Sequence, residues 1–508
     1  MYQIEIENRP RNKASESWPL TDGARHSRSS RVAMPTYDRS ALTPAIVHLG
    51  VGGFHRAHQA VYLDELARRG VTEWGEWGVS LHNREKKESL ERQDNLYTVV
   101  ERDRYGDSAR VVGVMDRYLF APDEPEAVLD ALADPRTRLV TLTITMAGYD
   151  IDPVTGDFVA DTPDVQADLD PSLHAAPATI CGYICDALDR RRQAGHAPFT
   201  ILSCDNMRDN GGAARTAVVS FARLRDEALG QWIEDNVAFP SSMVDRITPE
   251  PTPETRELVS QLFDITDYSP VVTETFKQWI IEDTFCNGRP PLEDVGVQFV
   301  TDVTPYMTMK TRLLNASHSA MGYLGYLAGH RTTDAAMSDP HLRAFIARMM
   351  DEEVTPLLPD VPGIDLTQYQ HTLLERFANP KISDTLSRLC GRGSTKVPTF
   401  ILPSIVEALE QGRPHDRLVL AVAGWFRYLR GVDVEGREIE IKDARKERLQ
   451  ELAVAGWNDP RPLLGERDIF GDLGHNETFA AELERALNAL DREGSRATID
   501  AYLNARVG

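Results

Sequence analysis

The stretch "AIVHLGVGGFHRAHQAVYLDELARRG", Ala45 to Gly70, constrains the fold more than any other part of the chain. A short apolar strand runs into a turn at Gly50, Gly52 and Gly53. A segment with helical periodicity follows and stops at Gly70. Strand, glycine turn and helix in this order form the opening unit of a dinucleotide-binding fold. There the glycines permit a tight turn and close backbone approach to a pyrophosphate, and the helix N-terminus supplies amide donors and a positive dipole. Gly50, Val51, Gly52, Gly53, Phe54 and Arg56 are therefore the expected cofactor contacts. The usual third glycine is replaced by His55. A lone motif of this kind is also compatible with a turn that uses glycine for backbone reasons alone.

The rest of the N-terminal half supports the nucleotide-binding reading. "WGVSL" (Trp77–Leu81), "RLVTLTIT" (Arg138–Thr145) and "FTILSCDN" (Phe199–Asn206) read as strands, and "TICGYICDALDRRRQAG" as a helix before the last of them. Strands alternating with helices predict an α/β fold with a parallel, helix-covered sheet. After about residue 295 helical segments dominate, at 309–330, 340–354, 366–378, 400–411, 415–430 and 476–506. The expected organisation is a polar N-terminal extension over 1–42, extended or partly disordered, a dinucleotide-binding domain over 43–295 and a mostly α-helical domain over 296–508.

Composition excludes several classes of function. The 508 residues carry a formal net charge of −22, which argues against non-specific binding to nucleic acid. No apolar run approaches the roughly 18 residues of a membrane span, and the N-terminus lacks the apolar stretch of a signal peptide. The five cysteines are an odd number in a long chain and fit free thiols in a reducing cytoplasm. Cys181 and Cys185 have no second Cys or His pair nearby, so no metal site is expected. The expected location is cytoplasmic. The sequence leaves the oligomeric state open, with a monomer compatible.

Cofactor choice turns on the residues after the second strand, where an acid would bind the adenosine ribose hydroxyls. "LHNREKK" places Arg84 beside Glu85. Glu85 favours NAD, and Arg84 suits the 2′-phosphate of NADP. The expected cofactor is NAD, with NADP possible.

The segment "MKTRLLNASHSAMGYLGYLAGH" reads as a helix. At about 100° per residue, Asn315 lies ~140° from Lys310 around the axis and His318 ~80°. All three fit on little more than a third of the circumference. The bland reading is a solvated stripe; the chemical one is a lysine base with two hydrogen-bonding helpers.

These residues belong to a longer set. "IVHLGVGGFHRAHQAVYLDEL", "LSCDNMRDNG", "FPSSMVDRITP", "GRPPLEDVGVQFVTDVTPYMTMKTRLLNASH", "VPGIDLTQY" and "GSTKVPTF" resemble the polyol-specific long-chain dehydrogenases, collinearly from about residue 45 to the C-terminus. The resemblance implies a Rossmann-type N-terminal domain, an α-helical C-terminal domain, a cleft between them and metal-independent NAD(P) chemistry on sugar alcohols. It assigns Lys310 as the general base and Asn206 and Asn315 as the pair that holds the developing oxyanion. His318 orients the reacting hydroxyl. Asp245, Arg388 and Lys396 match substrate-binding positions. The expected reaction is oxidation of D-mannitol at C2 to D-fructose. Alternatives are D-arabinitol or D-sorbitol as substrate, a fructuronate or tagaturonate reductase, and a dinucleotide-binding sensor without catalysis. The retained Lys310, Asn315, His318 and Asn206 argue against the sensor.

Two departures stand out. Relatives commonly read "TITEGGY" and "PYEEMK"; this chain reads "TITMAGY" and "PYMTMK", with Met146 and Met307 in place of acids. Removing two carboxylates from around the lysine is expected to favour its neutral form.

Overall fold

The computed structural model describes residues 18–21, 32–152, 155–170, 176–433 and 435–504. It divides into two compact units, Met1–Val303 and Thr304–Gly508.

The first unit is built on a five-stranded sheet. Its strands are β1 (Pro44–Leu49), β2 (Gly75–Ser80), β3 (Met115–Phe120), β4 (Leu139–Leu142) and β5 (Thr200–Ser203). They lie in the order β3-β2-β1-β4-β5, and every neighbouring pair is parallel. The chain winds outward in one direction from β1 and then in the other from β4. The β1–β4 junction is thus the switch point at which open α/β sheets bind ligands beyond the strand carboxyl ends. Strand side chains alternate between faces. Val47 and Leu49 of β1 join one core with Val140, Leu142 and Ile201, while Ile46 joins another with Tyr62 and Leu66. Both faces are covered, which explains the near-continuous apolar character of these strands. The helix Ile180–Ala194 shows why its ends fall where they do. Thr179 caps its first turn by accepting from the Gly182 amide, and Gly195 ends it at φ 70°.

Three features of this unit depart from the sequence reading. Val32–Ala33 extends a second sheet by pairing with Asp107–Val112, and Trp18–Pro19 pairs with Ile265–Thr266. Parts of the expected polar extension are therefore structural; residues 1–17 and 22–31 lie outside the described residues. The antiparallel pair Tyr97–Arg102 and Asp107–Val112 was not anticipated. Strand Gln298–Val300 pairs with Gln278–Glu282, so the chain past residue 295 still belongs to the first unit.

The second unit is helical. Its central helix, Ala316–Leu327, buries Ala316, Ala320, Met321, Tyr323 and Leu324 and packs against Asp416–Tyr428 and Leu386–Cys390. Small residues set the spacing, because a Cβ on Gly424 would come within 2.8 Å of Leu324. The expected single helix over 309–330 is three pieces: Thr304–Lys310, a π-helical turn Thr311–Asn315, and Ala316–Leu327. The segment expected over 340–354 also changes to a π turn, at Met349–Val354, and the C-terminal helix breaks at Gly494.

Candidate active site

The glycine turn links β1 to helix α1 (Gly53–Ala57), which gives way at His58 to helix α2 (Gln59–Arg68). Its glycines have different jobs. Gly50 sits at φ 100°, and a Cβ there would lie 2.2 Å from the Thr143 carbonyl oxygen. Thr143 Oγ1 donates back to the Gly50 carbonyl at 2.7 Å. Gly50 therefore lets the turn touch the chain leaving β4. At Gly52, the N-cap of α1, a Cβ would meet nothing closer than the Gly50 carbonyl oxygen at 3.8 Å, and no side chain caps the helix. An open, uncapped helix start with room for backbone approach fits a pyrophosphate.

The neighbouring side chains face inward. Val51 is buried, and a Cβ on Gly78 would come within 2.7 Å of it. Phe54 stacks on His58 with ring centroids 4.9 Å apart. Arg56 is fully buried; its guanidinium donates to the carbonyls of Gly52 and Ser269 and lies 5.2 Å over the Tyr97 ring. Through its Nε and one Nη, Arg56 ties the turn to the chain around Ser269. Below the turn, His55 is stacked on His48 and its Nε2 is 2.9 Å from Glu76. The ligand-type atoms of these three lie within 4.8 Å of one another. Stacked rings do not aim their lone pairs at a common centre, and both His48 nitrogens already bond Thr141 and Thr143. The set is not arranged to hold a metal.

Beyond β2, Asn83 caps helix α3 (Arg84–Glu91) by accepting from the Lys86 amide. Arg84 pairs with Asp123 and lies over Phe120. Lys87 pairs with Glu124 and Glu91. The Lys86 ammonium has no hydrogen bond or ion pair among the described residues. Burial, then Arg56 and Arg256, lower its pKa to about 8. Glu85 is exposed.

Asn206 stands exposed just past β5. Its neighbour Asp205 is buried and accepts from the amides of Ile144 at 3.0 Å and Thr145 at 2.8 Å and from the Tyr149 hydroxyl at 2.7 Å. Asn210 donates to the Asp205 carbonyl and exchanges two hydrogen bonds with the Ser242 backbone. Ser242 begins the strand that ends at Asp245, which is buried opposite Gln278. Next to it, Arg246 bonds Glu101 at 2.6 Å and the Glu274 carbonyl. Met146, which follows Thr145, is partly exposed.

In the second unit Lys310 closes its helix and is buried, as are Met307 one turn earlier and Asn315. The π turn between Lys310 and Asn315 fits an extra residue into one turn, so each residue rotates by less than the ~100° of an α-helix. Asn315 is thereby turned closer to the Lys310 side than the ~140° expected for an unbroken α-helix. The His318 ring is partly exposed and lies 4.6 Å from Phe377. Removal of its hydration lowers its pKa to about 3, with Asp384 opposing and Arg388, Arg376 and Lys396 adding to the effect. The lowered pKa favours its neutral, hydrogen-bonding form. Arg388 chelates Asp384, with Nε 2.7 and 2.9 Å from the two oxygens. Lys396 donates to the Leu389 carbonyl at 2.9 Å, and burial followed by Arg392 and Arg388 lowers its pKa to about 8.

Residues 44–294 match the mannitol dehydrogenase Rossmann domain, and residues 302–491 match the mannitol dehydrogenase C-terminal domain. The chain belongs to the mannitol dehydrogenase family. Mannitol 2-dehydrogenase of Aspergillus fumigatus is 47% identical over 481 residues, covering 93% of this chain and 96% of that protein. The same enzyme of Pyricularia oryzae is 46% identical over 490 residues, covering 95% and 97%. Among solved structures, the ternary complex of Pseudomonas fluorescens mannitol 2-dehydrogenase with NAD and D-mannitol aligns with TM-score 0.86 and 42% identity over 96% of this chain and all of that one. Substrate-free D-sorbitol dehydrogenase aligns with TM-score 0.86 and 35% identity over 95% of this chain and 100% of that one. The chain is an oxidoreductase of CH–OH donors with a Rossmann-type dinucleotide-binding domain. None of its described helices is long and apolar enough to cross a membrane.

Lys86, Asp205, Tyr149 and the His55–Glu76 pair escaped the sequence reading. The adjacent cations of "NREKK" look alike until their partners are known. Asp205 is masked by Asn206, which carries the family signal.

Proposed function

We propose that this family member oxidises D-mannitol at C2 to D-fructose with NAD, and that Lys310 is the base. The whole-length likeness to a mannitol 2-dehydrogenase bound to NAD and D-mannitol carries the reading. Loss of a hydride from a secondary alcohol requires loss of the hydroxyl proton as well. The buried Lys310 amine, in its neutral form, accepts that proton; Asn206 and Asn315 donate hydrogen bonds to the oxygen as it gains charge. His318 stays neutral and orients the hydroxyl. When bound, NAD supplies the hydride acceptor. The open helix start at Gly52 is where the chain offers amides to its pyrophosphate. Asp245, Arg388 and Lys396 are assigned to the remaining hydroxyls, because a polyol has too little apolar area to be selected without directional partners.

D-sorbitol is the second candidate substrate, given the equal fold similarity to D-sorbitol dehydrogenase. The uronate reading requires a cation for the substrate carboxylate; Arg388 is already balanced by Asp384, which leaves that role to Lys396. The test is steady-state turnover on mannitol, sorbitol, arabinitol, xylitol, fructose and fructuronate with both nicotinamide cofactors. Mannitol with NAD should give the highest kcat/KM. A tenfold preference for any other pair overturns the assignment.

A further inference from the structure

Thr145 follows β4 with φ 61° and ψ 168°. A positive φ is rare for any residue with a Cβ and is unfavourable for a β-branched one. Such a conformation persists only where the surroundings impose it. Here the imposing group is the Asp205 carboxylate. One oxygen accepts from the Thr145 amide at 2.8 Å, and the other from the Ile144 amide at 3.0 Å and the Tyr149 hydroxyl at 2.7 Å. Tyr149 is itself fixed, buried with its hydroxyl 2.6 Å from Ser203 Oγ. The same loop is held from its other side, where Thr143 Oγ1 donates to Gly50. The backbone of Asp205 is pinned in turn by Asn210, which also bonds the first residue of the strand leading to Asp245.

We infer that Asp205, with Tyr149, is a positioning residue for catalysis: it holds Thr145 in its strained conformation and so fixes the chain at Met146 against Asn206. The carboxylate touches neither polyol nor cofactor in this assignment. It acts by joining the carboxyl end of β4 to that of β5, one strand beyond the switch point. Aspartate is suited to the task where asparagine is not. Two amides and a hydroxyl all present hydrogens, and a carboxylate accepts on both oxygens, whereas an asparagine would turn an NH₂ group toward one set of donors. This inference rests on the dehydrogenase reading and on Asn206 as an oxyanion partner.

The experiment compares Asp205→Asn, Tyr149→Phe and Thr145→Gly, alone and with Asp205→Asn, in the full chain. Readouts are kcat and KM for D-mannitol, NAD affinity by fluorescence titration, and melting temperature. Displaced positioning predicts a fall in kcat of roughly 10²-fold in Asp205→Asn and about tenfold in Tyr149→Phe. NAD affinity should change little. Glycine adopts positive φ without strain. Thr145→Gly should therefore return several-fold of the lost kcat in the Asp205→Asn background while leaving the otherwise unmodified enzyme no faster. A merely structural Asp205 would lose melting temperature without that selective recovery. A folded Asp205→Asn enzyme within twofold of the parent kcat overturns the inference, as does a double variant no faster than the single one. If Asp205→Asn does not fold, Tyr149→Phe with and without Thr145→Gly decides by the same comparison. Lys310→Ala run in parallel separates the two failures: a Lys310→Ala enzyme at full rate sinks the reading of the reaction, whereas an inactive one beside an active Asp205→Asn sinks only this inference.

Discussion

The rings of His48 and His55 lie face to face, 3.5 Å apart and 8° from parallel, with the Glu76 carboxyl 2.9 Å from His55 Nε2. All three are fully buried. Burial, followed by Arg56, lowers the pKa of His55 to about 3, and burial raises that of Glu76 to about 7, opposed by His48. Folded, the His55–Glu76 pair thus holds one proton from about pH 3 to about pH 7. Unfolded, with pKa values of about 4.3 and 6.5, it holds two protons below pH ~4, one between and none above ~7.

The sign of the stability change follows. Between pH ~4.5 and ~6.5 both states bind one proton, so this pair leaves stability flat; below ~4.5 the unfolded state binds more, and stability is lost as the pH is lowered. Glu76→Gln removes the Glu76 proton from the folded state. His55, still depressed, must then be deprotonated on folding, and the variant should lose stability as pH drops through 6.5. From pH 7.5 to 5.0 the stability gap between variant and parent should widen by about 2 kcal/mol. Denaturant melts at the two pH values measure it. A gap that stays constant means the pair holds no proton in this window.

Gly50 and Gly52 should fail in opposite ways. A side chain on Gly50 collides with the Thr143 carbonyl and must also adopt positive φ, so Gly50→Ala should lower the melting temperature. A Cβ on Gly52 meets nothing beyond its chain neighbours closer than 3.8 Å, so Gly52→Ala and Gly52→Val should fold and lose NAD binding. Thermal melts and NAD titration of these variants are sufficient. Normal NAD affinity in Gly52→Val would remove the turn from the cofactor site.

Cofactor selection should rest on Lys86 more than on Arg84. Arg84 is already paired with Asp123, whereas the Lys86 ammonium stands in the first turn of α3 beside Arg56 and Arg256. Lys86→Glu should lower kcat/KM for NADP relative to NAD by about tenfold, and Arg84→Ala by less. The reverse ranking would place the 2′-position on the Asp123 side of the helix.

Much of the fold was legible because its signals are local. β1, the glycine turn and α2 are adjacent in sequence, and each has its own period or punctuation. The Val32–Ala33 and Trp18–Pro19 strands were missed because two-residue strands have no period; distant partners at Asp107–Val112 and Ile265–Thr266 create them. The π turn after Lys310 was hidden for a related reason, since "TRLLN" has ordinary helical composition and the extra residue per turn is a property of the packed helix. At the site, residue types pointed to Lys310, Asn315 and His318, but Arg56 shows the limit. An arginine three residues after Gly53 suits a phosphate on paper; that its Nε and one Nη donate to Gly52 and Ser269 is a product of packing.

The pH profile gives the sharpest test of Lys310. Oxidation requires the neutral amine, so kcat for mannitol oxidation should rise with pH, and fructose reduction, which requires the charged form, should fall over the same range. His318 should contribute no limb near pH 6.5, because its pKa lies at about 3. Lys396 is the confounder, with a pKa of about 8 and a place near His318. Lys396→Gln should weaken mannitol binding and leave the ascending limb in place. Lys310→Ala should abolish that limb and cost ~10²- to 10⁴-fold in rate. Met307 is buried one turn from Lys310. Met307→Glu restores a carboxylate that favours the charged lysine, so the oxidation limb should move to higher pH. A limb that disappears with Lys396→Gln instead would transfer the base to Lys396. A limb that moves to lower pH in Met307→Glu would show that the buried acid is itself protonated and does not tune the lysine.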